Sequence, residues 1–196
     1  MSTNGRKSTL AVTLRPSEGA LSIAYTFTHQ EGASVALFNR LAVVAADGQS
    51  SRIDPGAAYV EVEGTTLHVR KMVLAIPTGL RASERLVPYL SRVEAGATFE
   101  ETLSFALPVK ADQPYRLAWL QGQAPDGHRV SASRAVTVTA VTFSLGVVVI
   151  GAGERLIEVE PGVFRVWPPG PAVDRQVVLT ETVDVSEHPI DALDYA

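Results

Sequence analysis

From residue 20 to residue 28 the chain alternates apolar and polar side chains with a period of two. Leu21, Ile23, Tyr25 and Phe27 hold one parity; Ser22, Ala24, Thr26 and Thr28 hold the other. That is the pattern of a strand with one buried face. Turn residues at 29–33 follow, and then Val35, Leu37, Leu41 and Val43 share a parity. The two runs predict a long central β-hairpin, the seed of a sandwich core. Upstream, residues 8–14 predict a first strand, ended by Pro16 and a Glu18-Gly19 turn. Downstream, Asp47-Gly48 and Asp54-Pro55-Gly56 are turn signals. Tyr59, Val60 and Val62 then lead through Glu63-Gly64-Thr65 to Leu67, Val69 and Met72, a second hairpin.

The rhythm breaks over residues 76–94. Pro77, Gly79 and Pro88 punctuate this stretch, and Arg81, Arg85 and Arg92 stand near Glu84. It predicts a long connection, either a functional loop or a crossover that packs Leu80, Leu86, Val87 and Leu90 over one open end of the sandwich. Pro88 limits any helix there to one turn over residues 83–87. The alternation returns with Phe99, Leu103, Phe105 and Leu107. Around Tyr115, in Asp112-Gln113-Pro114-Tyr115-Arg116-Leu117-Ala118-Trp119, the chain resembles immunoglobulin-like sandwiches. The resemblance implies a tyrosine at the start of a late strand, bonded back across a corner. Val136 and Val138 give way to Val141 and Phe143 on the other parity, which predicts a β-bulge near Ala140. Short strands are expected at residues 147–150, 155–160, 163–167 and 176–185, with Gly151-Ala152-Gly153 as a hairpin turn.

These elements add up to an all-β chain. Residues 1–140 read as an immunoglobulin-like β-sandwich. Residues 141–185 read as a C-terminal β-meander that extends or flanks it within one compact unit. Residues 186–196 read as an acidic tail, frayed or with one helical turn.

Composition narrows the function classes. An apolar fraction of 46% in 196 residues suits a soluble globular protein with a real core. A net charge of -4 gives no general attraction to nucleic acid or anionic membrane. Fourteen arginines against three lysines fit a compositional bias better than an arginine-built site. With no cysteine, disulfides, thiolate metal sites and cysteine nucleophiles are excluded. The apolar segment at 10–14 is too short for a secretory signal, so the expected location is cytoplasmic, with a mature exported form as the alternative. No window predicts a membrane span.

The motifs that suggest chemistry weigh little. After Gly146 and the apolar run at 147–150, Gly151 and Gly153 stand as in dinucleotide-binding folds, but the fingerprint's third glycine is replaced by Leu156 and the required helix by a strand pattern. His29, His68, His128 and His188 lack metal-ligand spacing, and no GxSxG elbow occurs. Glu100 and Glu101 are neighbours on a strand and face opposite ways, so they read as part of a solvated face rather than a glycosidase pair. No cofactor and no metal are expected.

The expectation is therefore a non-enzymatic binding or assembly module. Its partner is a protein, possibly a second copy, met through a sheet edge or the 76–94 loop, with Arg81, Arg85 and Tyr89 as contacts. One alternative is a carbohydrate-binding module with Trp167 and Tyr89 exposed on one face. The other is an enzyme assembled from distant loops, marked by a pocket that holds a histidine beside a carboxylate.

Overall fold

The alternating runs form strands, but the first two long ones do not pair with each other. A computed structural model describes residues 8–30, 32–44, 51–80, 85–123 and 130–196. The first strands are β1 (Ser8–Ser17), β2 (Ala20–His29), β3 (Val35–Val44), β4 (Ser51–Asp54), β5 (Tyr59–Glu63), β6 (Thr66–Lys71), β7 (Tyr89–Val93), β8 (Thr98–Ala106) and β9 (Val109–Lys110). Helix α1 (Pro114–Gln121) precedes β10 (Ala132–Val138), β11 (Ala140–Val149), β12 (Arg155–Glu160) and β13 (Val163–Trp167). Helix α2 (Pro169–Asp174), β14 (Val177–Asp184) and β15 (Ile190–Tyr195) complete the chain. Among the described residues the protein is all-β apart from two short helices.

Three sheets are built from these strands. The small sheet has the order β1-β2-β8, all antiparallel. The large sheet runs β12-β13-β7-β3-β11-β6-β5, with β14 also on β11 and β4 on β3. A third sheet has the order β10-β15-β9. The expected central hairpin is thus corrected: β2 belongs to the small sheet and β3 to the large one, so the two strands lie in different layers. Leu21, Ile23, Tyr25 and Phe27 face Val35, Leu37, Val69, Phe143 and Leu145 in one core. The outward parity of the small sheet is threonine, serine and alanine at most positions, a solvated face.

Other expectations move in the same way. The parity change after Val138 marks a sheet change at Thr139, not a bulge within one strand. Most of the segment 112–119 lies in α1 (Pro114–Gln121) rather than in a strand, because Pro114 is preset for a first helical turn and Gln113 caps it, accepting from the Arg116 amide at 2.8 Å. Tyr115 does bond a distant backbone group, accepting from the Leu86 amide at 2.7 Å, but from that helix. The expected acidic tail contains β15, the middle strand of the third sheet, with Ile190, Ala192 and Asp194 buried. Within the expected loop, residues 89–93 form β7. The hairpin β5–β6 forms as expected, with Gly64 at φ +58° in its turn. The Asp47-Gly48 turn lies outside the described residues.

A second core sits on the opposite face of the large sheet, where α2 covers it. Phe38, Leu90, Val148 and Val166 meet Ala172 and Val173 there. Gly146 is needed for close approach: a Cβ at that position would come within 2.3 Å of Gln176 Oε1. The Gln176 amide in turn bonds both the Val73 N–H (2.8 Å) and C=O (3.1 Å).

Candidate binding site

The site begins where the two main layers are fastened together. Parity turns Glu101 on β8 inward with Leu103, and Lys71 on β6 inward with Leu67 and Val69. Glu101 Oε2 accepts from Lys71 Nζ and from the Tyr25 hydroxyl, both at 2.6 Å. Its other oxygen accepts from Arg40. Lys71 is fully buried and also donates to the Asn39 and Pro55 carbonyls. Burial lowers the Lys71 pKa to about 8 from its ordinary 10.5, against the opposing pull of Glu101. Burial, then the charge of Glu101 beside it, pushes the Tyr25 phenol well above its ordinary 10.0. A β-bulge in β3 lets Asn39 and Arg40 both reach this network, and the register against β7 shifts there. Arg40 also lies over the Phe99 ring at 5.6 Å. The network is saturated with partners, so it serves to fix β8 over β3.

That placement leaves a shelf beside β8. The large sheet continues past β3 through β7, β13 and β12, but among the described residues β8 pairs with β2 alone. Phe164 opposes Leu90, and both pack into the α2-covered core with Val166. The other parity of these strands therefore presents Tyr89, Arg165 and Trp167 on the small-sheet side. Register places Arg155 opposite Trp167 and Ile157 opposite Arg165 on the same face. Trp167 is 55% exposed and Val159, in the bulge of β12, is 39% exposed. Among the described residues neither Arg155 nor Arg165 has an ion-pair partner. Phe99 and Phe105, the inward aromatics of β8, are only half-buried.

The four expected contact residues separate. Tyr89 and Trp167 share this face. Arg85 reaches Asp174 on α2 at 3.9 Å, at the helix that covers the opposite face. Arg81 lies outside the described residues. Arg155, Arg165 and the free edge of β8 were not singled out from sequence. The signal for the first two was their shared parity with Trp167 across a predicted hairpin.

Two other places were candidates. An apolar groove of about 360 Å³ opens between the start of β1, β11 and β14, lined by His29, Val35, Val147 and Leu179 among others. There the Ser8 hydroxyl donates to His29 Nδ1 at 3.0 Å, because His29 Nε2 donates to the Ala33 carbonyl at 2.8 Å. Ser8 and His29 are register partners across β1 and β2, and no carboxylate is among the groove's described lining. The histidine-beside-carboxylate pocket expected of an enzyme is not formed at this histidine. In the third sheet, buried Asp194 accepts from Arg116 at 3.2 Å and from Arg134, tying α1 and β10 to β15. No group of three metal-ligating side chains occurs among the described residues. Among the described residues no helix is long and apolar enough to cross a membrane.

Among the described residues, fold and site together define a layered all-β protein with an open sheet edge beside an uncovered sheet face. Compared with protein-family models, curated proteins and solved structures, the chain matches none.

Proposed function

We propose that this chain is a non-enzymatic recognition module, an immunoglobulin-like layered scaffold that meets a protein partner along the β8 edge and the shelf beside it. The supporting observation is the exposed inward face of β13 and β12, with Trp167 more than half exposed where the same face of the large sheet is elsewhere core. Exposed aromatic and aliphatic groups next to unpaired strand edges are the elements that β-strand addition uses. A peptide-display selection on the purified chain tests this. Peptides that bind the wild type and lose binding to Trp167→Ala support it. Peptides indifferent to Trp167→Ala, or no enrichment at all, contradict it.

A second reading is a carbohydrate-binding module, supported by the shared face of Tyr89 and Trp167. Sugars stack on such exposed rings. Quenching or enhancement of tryptophan fluorescence on titration with neutral oligosaccharides, lost in Trp167→Ala, separates this reading from the first.

A further inference from the structure

Resting on the protein-partner reading, we infer that the partner's contacting segment is an extended strand, hydrogen-bonded to β8, whose shelf-facing residues (every second one) include both acidic and apolar side chains, seated over Arg155, Ile157, Arg165 and Trp167. The phase of the β8 ladder fixes which backbone groups are offered. The Leu107 amide donates to the Gly19 carbonyl at 2.9 Å, and the His29 amide to the Ala97 carbonyl at 3.0 Å. Both ends thus place the odd residues of β8 in the bonded pairs with β2. In an antiparallel ladder the alternate residues then direct N–H and C=O away from that neighbour. Among the described residues, Thr98, Glu100, Thr102, Ser104 and Ala106 carry the free groups, a row long enough for a guest strand.

The floor fixes the guest's side chains. A strand added to β8 continues the small sheet over β7 and β13, with every second side chain pointing down. Those residues meet two guanidiniums that have no ion-pair partner among the described residues, an indole and an isoleucine, and Tyr89 beside Arg165. Carboxylates suit the first and apolar groups the others. The remaining guest residues continue the solvated threonine and serine face.

A second copy does not suit this seat. The large sheet runs three strands beyond β3, roughly 14 Å at a spacing of about 4.8 Å per strand. Two copies joined edge to edge at β8 would drive their β12–β13 hairpins into the same space. A polyanion such as nucleic acid has the charge but cannot form the backbone ladder.

The test is fluorescence anisotropy with labelled peptides spanning the nine residues of β8: a Glu-Thr-Val-Thr repeat (the Glu/Val peptide), a Lys-Thr-Val-Thr repeat (the Lys/Val peptide), and the Glu/Val peptide N-methylated at its threonines, whose amides face β8. The Glu/Val peptide is expected to bind at least about tenfold tighter than the Lys/Val peptide, a margin set by charge pairing. The doubly substituted Arg155→Glu, Arg165→Glu chain is expected to reverse the order. N-methylation and Thr102→Pro are each expected to abolish binding. Thr102 donates nothing to β2, so proline there spares the existing ladder, and the N-methylated peptide gives the same test without altering the chain. Equal binding of Glu/Val and Lys/Val peptides, still sensitive to N-methylation, overturns the acidic guest while leaving the edge reading intact. Binding insensitive to N-methylation and Thr102→Pro overturns the edge itself. Absence of peptide binding alongside tryptophan-dependent oligosaccharide binding overturns both in favour of the carbohydrate reading.

Discussion

Lys71 shows at the scale of single residues how this chain holds its layers together. It is completely buried, and its three donors are taken by Glu101 and by the Asn39 and Pro55 carbonyls. Removing one member of a buried, hydrogen-bonded pair leaves the rest without partners. Lys71→Met is therefore expected to cost about 3 kcal/mol near neutral pH, measured by urea unfolding. The pH dependence has a definite sign. Folded Lys71 releases its proton near pH 8, whereas the unfolded chain keeps it to about 10.5. Between these values the unfolded state binds more protons, so this residue's contribution makes stability rise with pH across that window. Tyr25 acts in the opposite direction above pH 10, where the unfolded phenol ionises and the buried one stays neutral. Wild type compared with Lys71→Met should thus gain stability from pH 8 to 10, and Tyr25→Phe should lose less than wild type above 10. A flat difference between wild type and Lys71→Met over pH 8–10 would contradict the burial. Lys71 and Glu101 stand on the inward parities of their strands, so two opposite buried charges were legible in the sequence. Parity names a face but not which strand lies across from it, and their pairing was therefore not.

At the scale of elements, β13 has two faces with opposite duties. Val166 is buried against the α2 core, and Trp167, one residue on, faces the shelf. Val166→Ala is expected to lower stability by roughly 2 kcal/mol through a cavity. Trp167→Ala is expected to stay within about 0.5 kcal/mol of wild type, as exposed positions do. A large loss in Trp167→Ala would mean that the ring packs within the fold rather than serving a partner. The boundaries of β12 and β13 were readable because each is a short run rich in β-branched and aromatic residues and Pro161-Gly162 separates them. Helix α1 was not, because its eight residues give a weak helical period and its evidence lies in a cap, Gln113 followed by Pro114. Gln113→Ala should cost about 1 kcal/mol, seen in the same unfolding experiment. β15 was hidden by composition: Asp191 and Asp194 resemble a solvated tail, yet Asp194 shares its parity with Ile190 and Ala192 and is neutralised by Arg116 and Arg134.

For the whole molecule, sheet membership is the property that local patterning could not supply. β2 and β3 each carry the right alternation, but alternation is satisfied equally by a hairpin and by a crossing between layers. The crossing has consequences for stability. The end of the chain completes the third sheet, and Ile190 and Ala192 enter the main core. Truncation after Pro189 removes β15 from between β10 and β9 and is expected to abolish cooperative thermal unfolding. A sharp, near-wild-type transition in that truncation would show that the third sheet is an accessory.

The central claim is that β8 is fastened on one side and open on the other, and residue-resolved amide hydrogen exchange of the free chain tests it most directly. The predicted result is alternation: slow exchange at Phe99, Glu101, Leu103 and Phe105, which donate to β2, and fast exchange at Glu100, Thr102 and Ser104, which face the shelf. Uniform protection along β8 would contradict the account, because it would mean that the edge is already covered.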